Sequence, residues 1–404
     1  MAPWLAVIGI GEDGLKGLSP SSVALIESAE ILIGGARHLA MLPADGRERL
    51  AWPSPMCQLV DRIPKMRGRR VAVLASGDPM WFGIGATLAR RVAPAEMTIV
   101  PAPSTFSLAA ARLGWALDET AAISLHGRPV EALALHLHPG ARLVLLANDG
   151  NTPRQIAEWL SERGFGDSRM AALAHMGGPR EERFEGTASA WSAAVPDLHT
   201  LAVECVAGPG ARWWPRTAGL PDEAFANDGQ LTKREARALA LARLMPHDGA
   251  LLWDVGAGCG SVAIEWLRAA PRARAVALEP NPERRALAAR NAAALGVPGL
   301  QILDRRAPEG LEGLEAPEAV FIGGGLSQAT AEAAMARLRP GGRLVANAVS
   351  LESEAFLLDL HARNGGDLTR LSAARAQPLG AARRGWRSAM PVTQWAWVKP
   401  WVGP

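Results

Sequence analysis

The stretch LLWDVGAGCGSVAIEWL, Leu251 to Leu267, restricts the fold more than any other part of this chain. An apolar run carries an acid near its end, three glycines follow at alternate positions, and an amphipathic run begins. That pattern predicts a buried strand, a tight turn and a helix whose N-terminus faces a ligand. A second opening of this kind, LAVIGIGEDG from Leu5 to Gly14, stands near the start of the chain. At 404 residues the chain is too long for one ordinary core, so two domains are expected.

The first half alternates apolar runs with amphipathic ones. Strands are predicted over 4–11, 30–34, 70–76, 97–101, 122–126, 142–147, 170–175 and 201–206. Many are continuously apolar, as strands buried on both faces should be. Ser19 and Thr152, each followed by proline, read as helix starts. Residues 209–226 are rich in Pro, Gly and turn formers and read as a linker between domains 1–208 and 227–404. The second half opens with LTKREARALALARLMP, where Thr232 and Glu235 form the pattern of a capping box. Strands follow at 251–255, 275–279, 300–303, 319–323 and 343–349, separated by helices. Two extended segments, 369–376 and 393–400, close the series without a helix between them, which predicts an antiparallel pair at the sheet edge.

The glycines of the second turn are Gly256, Gly258 and Gly260. A dinucleotide fingerprint would put its third glycine at 261, where Ser261 stands, and the chain has no Gly-Lys pair for a P-loop. What remains suits S-adenosylmethionine. Small residues let backbone approach the ligand, Glu279 after the next strand can accept both ribose hydroxyls, and Asp254 can face the amino or sulfonium side. Cys259 within the turn reads as a small residue that fits there, not as a nucleophile.

With GQLTKREARALAL, WDVGAGCGS, ALEPN, RAPEGL, VFIGGGL and ANAVSLES, the second half resembles the class I methyltransferases. More closely it resembles the decarboxylating methyltransferases of corrin-ring biosynthesis. The resemblance implies a Rossmann-like doubly wound sheet with an antiparallel edge strand. It also places Thr232, Gly256, Ala257, Gly258, Cys259, Gly260, Glu279 and Ala307 around the cofactor. Asp304-Arg305-Arg306 departs from the family's pattern.

The first half carries VIGIGEDG, ILIGGARHL, LASGDPMWFGIG, PAPSTFSLAAARLG, SLHGR and NTPRQIAEWL. It resembles the tetrapyrrole methylases, an α/β fold of two lobes with the cofactor in the cleft between them. The resemblance implies that Gly9, Gly77, Asp78, Ser104 and Thr105 line the cofactor cleft, and that Asp13 faces a substrate trough. Asp13 and His126 are the candidate catalytic residues. His126 reads either as a strand-end histidine bonded to backbone or as a group that orients substrate or moves a proton. Arg37 and His38 meet either substrate carboxylates or surface acids.

Two methyltransferase folds in this order resemble the fused decarboxylating methyltransferases of vitamin B12 biosynthesis. The family reaction, as the resemblance implies it, uses two adenosylmethionines. One methyl goes to C5 and one to C15 of precorrin-6B, and the C12 acetate leaves as carbon dioxide, giving precorrin-8. A chain in which one half only docks the substrate is the alternative. The expected partner is a carboxylate-rich tetrapyrrole. No basic block interleaves with aromatics, so nucleic acid is not indicated. Three scattered cysteines suggest neither disulfides nor a metal site, and no apolar run reaches membrane length. A cytoplasmic homo-oligomer, with a tetramer as one option, is the expectation.

Overall fold

The computed structural model describes residues 3–380 and 383–401. The chain divides into two compact units. One is Met1–Val130 with His138–Arg212, the other Trp213–Pro404 with Glu131–Leu137.

The N-terminal unit holds two five-stranded sheets. The first contains β1 (Leu5–Ile10), β2 (Ile31–Gly34), β3 (Glu48–Ala51), β4 (Val71–Ser76) and β5 (Met97–Val100), all parallel, in the order β3-β2-β4-β1-β5. Alternate side chains of one strand enter different cores. Leu5 and Val7 pack with Ile31, Ile33, Val71 and Val73 on one face, while Ala6, Ile8 and Ile10 pack with Leu32, Ala72 and Leu74 on the other. This two-sided burial is why β1 reads as an unbroken apolar run. The second sheet contains β6 (Ala121–Ser124), β7 (Arg142–Leu146), β8 (Arg169–Ala174), β9 (Glu182–Thr187) and β10 (His199–Glu204), in the order β6-β7-β10-β8-β9. Only β6 and β7 run parallel; the other neighbours are antiparallel.

The C-terminal unit is built on a seven-stranded sheet. Its strands are β11 (Leu251–Val255), β12 (Arg274–Leu278), β13 (Gln301–Leu303), β14 (Ala319–Ile322), β15 (Arg343–Ala348) and β16 (Asp367–Leu371). A hairpin of β17 (Ala374–Leu379) and β18 (Arg383–Ser388) follows, and β19 (Val392–Val398) returns to the sheet. The order is β13-β12-β11-β14-β15-β19-β16. The strands from β13 to β15 are parallel, and β19 inserts antiparallel between β15 and β16. The expected antiparallel edge is therefore present. Trp395 explains part of the insertion: its ring is fully buried and its indole N–H donates to Gly365 O at 2.9 Å.

Several local expectations need correction. β3 and β9 were not visible in the sequence because both are partly exposed edge strands carrying charged residues, without an apolar run. The 369–376 segment is two strands joined by a short break, and the β17–β18 hairpin lies outside the main sheet. Ser19 does cap its helix, accepting from Ser22 N at 3.2 Å. Thr152 instead turns back to accept from Asn148 N and Asp149 N, while Asp149 takes the amides of Asn151 and Thr152. The Thr232–Glu235 capping box does not form. The helix spans Arg234–Leu244, Lys233 sits at its cap without a side-chain bond, and Asp222 takes the Arg234 amide at 3.0 Å.

The linker is also not a free connector. Leu220 and Phe225 are buried in the C-terminal core. Arg237, fully buried, pairs with Glu265 at 2.7 Å and Asp222 at 3.3 Å, and its guanidinium lies 4.7 Å from the Phe225 ring. Glu265 in turn accepts from Gly219 N and Leu220 N. A buried charge survives only when paired and hydrogen-bonded, so this network fixes the segment to its unit. Among the described residues, no helix is long and apolar enough to cross a membrane.

Candidate functional sites

In the C-terminal unit the glycine turn leaves the end of β11. Gly256, Gly258 and Gly260 have φ of 67°, 58° and 80°, a region costly for any residue with a Cβ. Gly256 has a second requirement. A Cβ there would lie 2.6 Å from Gly324 Cα, in the FIGGG stretch after β14. Gly323 N and Gly324 N both donate to Val255 O. The two glycine motifs are thus one feature, a close approach of neighbouring loops at the carboxyl ends of parallel strands.

Two carboxylates lie beneath this turn. Asp254 is buried; its Oδ2 accepts from Ala263 N at 3.0 Å, and its Oδ1 has no hydrogen-bond partner. Burial, reinforced by nearby Glu279, pushes its carboxyl up to about 7. An orphaned, buried carboxylate oxygen fits a cationic ligand, and adenosylmethionine carries both a sulfonium and an ammonium group. Glu279 is also buried. Its Oε2 accepts from Gly258 N at 2.8 Å and its Oε1 from Asn281 N at 2.9 Å, so the acid braces the turn while keeping lone pairs for a ligand. Asn291, which sequence reasoning missed, ties the site together: it bonds both backbone groups of Ala226 and the carbonyl of Cys259. Burial pushes the Cys259 thiol up to about 11, so it is no nucleophile. Thr232 is half-buried, and its carbonyl accepts from Arg237. Ala307 is half-buried against the core beside β14. Exposed Asp304 is paired with Arg285 at 2.8 Å.

In the N-terminal unit a cavity of 480 Å³ is lined by residues of both sheets' loops. It opens at the carboxyl ends of β1 and β4, where a parallel sheet presents its ligand site. Gly77, Asp78, Ser104 and Thr105 all line it. Ser104 caps the helix Thr105–Leu113, accepting from Ser107 N at 3.1 Å, and the Thr105 hydroxyl bonds that of Thr200. Asp78 Oδ1 accepts from Met80 N at 2.8 Å, tightening the turn after β4. His126 lines the cavity as an exposed residue just beyond β6.

Two expectations change here. Gly9 is not on the cavity lining; it lies behind it, where a Cβ would sit 2.0 Å from Gly77 O and 2.6 Å from Ala102 N. It lets the loops behind the cavity converge. Asp13 is also absent from the lining. Its carboxylate folds back over its own turn, so close that a Cβ on Gly17 would strike Oδ2 at 1.9 Å. Its neighbour Glu12 faces the cavity instead. Glu12 forms an ion pair with Arg37, and its Oε2 lies 3.3 Å from His175 Nδ1. Arg37 Nη2 donates to Ser76 Oγ at 3.2 Å and to His38 Nε2 at 3.1 Å. Arginine has only donors, so Nε2 must be the bare nitrogen and the proton sits on Nδ1. Burial and the Arg37 charge push His38 down to about 4, which keeps it neutral. Arg37 and His38 were flagged by their motif. His175, His199 and Thr200 were not, because each comes from a strand end with no local signature.

Residues 5–191 match the tetrapyrrole (corrin/porphyrin) methylases, and residues 223–399 match the precorrin methyltransferase domain. A Sinorhizobium protein named precorrin-6Y C(5,15)-methyltransferase [decarboxylating] is 50% identical over 402 residues, which is 99% of this chain and 97% of the relative. A Mycobacterium tuberculosis (strain CDC 1551 / Oshkosh) protein of the same name is 42% identical, covering 98% of this chain and 100% of its own. The crystal structure of the C-terminal domain of precorrin-6Y C5,15-methyltransferase from Rhodobacter capsulatus is 46% identical. It covers 46% of this chain and 100% of that chain, with a TM-score of 0.44.

Proposed function

The chain belongs to the family of decarboxylating precorrin-6Y C5,15-methyltransferases, and on that footing we propose that each of its units holds one adenosylmethionine and carries out its own part of the reaction. The N-terminal unit methylates C5 of the tetrapyrrole. The C-terminal unit removes the C12 acetate as carbon dioxide and methylates C15. The observation that carries this reading is the presence of two separate strand-end glycine sites, one per unit, with different charged groups around them.

Adenosylmethionine supplies the methyl group in both halves. In the C-terminal unit Asp254 and Glu279 hold the cofactor's cationic and ribose parts, and the Gly256–Gly324 approach keeps side chains out of its path. In the N-terminal unit Gly77, Asp78, Ser104 and Thr105 hold the cofactor end of the cavity. The acceptors are electron-rich ring carbons, so the chain need not generate a strong nucleophile. Its task is to align acceptor and donor and to exclude water. Decarboxylation draws on the ring nitrogens as electron sink, and the protein's part is to hold the carboxylate without over-stabilising it.

Incubation of the full chain with adenosylmethionine and the metal-free precursor tests the reading. The expected product has gained two methyls and lost one carbon dioxide. Binding of labelled adenosylmethionine should saturate at two per chain; saturation at one would favour the alternative in which one unit only docks the substrate. A homo-oligomer is part of the same reading, and sedimentation of the purified chain tests it.

A further inference from the structure

The N-terminal cavity has features that cofactor binding does not use. Four large apolar side chains on its lining are exposed: Met56, Trp81, Phe82 and Leu198. Trp81 is 54% exposed and Phe82 51%. Exposed aromatics gathered inside a concavity mark a contact surface, whereas the same residues scattered on a convex face would mean little. They are also held firmly. Trp81 and Phe82 lie 6.3 Å and 5.7 Å from the ring of Phe106, which is buried at the start of its helix. Gly83 lets the turn close, since a Cβ there would meet Pro79 O at 2.5 Å.

The backbone carries a second signal. Among the described residues, three that are not glycine have positive φ, and two of them, Phe82 at 54° and His175 at 49°, line this cavity. Strain of this kind persists where surrounding structure enforces it and gathers at ligand sites.

The placement of one arginine is the third. Arg37 and Arg180 stand near His175; Glu12 pairs with Arg37 and lies 3.3 Å from His175 Nδ1, and Glu182 acts on His175 as well. The other two acids on the lining are committed to backbone: Asp78 to Met80 N and Asp197 to Gly150 N. Among the described residues, Arg37 is the single arginine or lysine on the lining, and neither Asp78 nor Asp197 is paired with it. The Arg37 side chain is 35% exposed, with its guanidinium oriented by Glu12, Ser76 and His38. An oriented, partly open guanidinium is suited to a carboxylate.

We propose that Arg37 and the Trp81–Phe82 shelf form the subsite that receives the tetrapyrrole in this unit: the ring lies on the aromatic shelf while one acetate or propionate carboxylate pairs with Arg37. This rests on the reading that the N-terminal unit methylates a tetrapyrrole. Glu12 is a positioning residue, keeping the guanidinium aimed into the cavity.

The test uses the full chain with the tetrapyrrole precursor and adenosylmethionine, separating the two methylations by product mass and position. Trp81→Ala and Arg37→Ala should each raise KM for one methylation by about ten- to a hundredfold. Adenosylmethionine affinity and the other methylation should stay within about twofold, which a general loss of structure would not allow. Trp81→Phe should recover most of the loss. Arg37→Lys should recover only part, since an ammonium lacks the planar fork. Because Trp81 is half exposed, Trp81→Ala will fold and decides the matter even if Arg37→Ala does not. KM within about twofold of wild type in both alanine variants overturns the subsite. Absence of methylated product from the wild-type chain overturns the underlying function instead, and the subsite with it.

Discussion

The N-terminal unit keeps an arginine and histidines facing an open cavity, whereas the C-terminal unit buries two carboxylates under a glycine turn. Both sites sit at the carboxyl ends of parallel strands, and both depend on a glycine that lets two loops meet. They differ in the groups they offer, a partly open guanidinium against buried carboxylates, and in the room beside them. Buried acids with an orphaned oxygen suit a small cation. An aromatic-walled cavity with one oriented guanidinium suits a large flat ligand that carries a carboxylate. A shared strand–glycine–helix opening therefore does not imply a shared ligand contact: Gly9 and Gly256 do the same steric work at sites with different charged groups.

The sharpest way to break the comparison is to fill each glycine in turn. Gly9→Ala would drive a Cβ to 2.0 Å from Gly77 O, and Gly256→Ala to 2.6 Å from Gly324 Cα. Each should lower the methylation of its own unit by about a hundredfold or more, since displacements near 1 Å at a reacting centre cost about that much. Product analysis should find the other unit's methylation intact in each variant. Loss of both methylations from either change would mean that the sites are not independent.

Stability should separate the units as well. Arg237→Met leaves Glu265, 1% exposed, without its buried cation. The expected loss is about 3–5 kcal/mol, confined to the C-terminal unit. Calorimetry of the variant should show one thermal transition moved down and the other in place. A uniform shift would contradict the division into two folding units.

A smaller effect concerns pH and distinguishes the C-terminal site from the N-terminal one. The Asp254 carboxyl is held up to about 7. Above the ordinary carboxylate range the unfolded chain releases this proton while the folded chain keeps it. Asp254 therefore lowers stability progressively as pH rises towards 7, and its effect is constant above that. A cationic ligand prefers the ionised form, so affinity at this site should climb by up to about tenfold per pH unit below 7 and then level off. Titration calorimetry across this range should find the climb for one adenosylmethionine site and not the other, and Asp254→Asn should remove it. An equal pH response at both sites would sink the assignment.

Much of the architecture was readable from the chain because it is written in side-chain burial. Strands covered on both faces are apolar at nearly every position, which made β1, β4, β7 and β11 visible. Edge strands such as β3 and β9 face water, so their residues carry no such mark. The glycine turns were readable because positive φ and close backbone approach both exclude a Cβ. The local caps at Thr152 and Thr232 were misread because the Thr152 hydroxyl is taken by the amides of Asn148 and Asp149, and because Asp222 takes the Arg234 amide that a Thr232 cap would serve.

The sequence by itself determined that there are two α/β units, in which order, and which glycines must stay bare, since these follow from periodicity and steric limits within a few neighbouring residues. Only the tertiary structure decided that Glu12 faces the cavity while Asp13 closes its own turn, and that Gly9 packs behind the lining against Gly77 and Ala102. It also paired Gly256 with Gly324 and brought Arg37, His175 and the Trp81–Phe82 pair to one cavity. The reason is physical: a ligand site is made of residues distant along the chain, and packing, not local propensity, sets which of them meet.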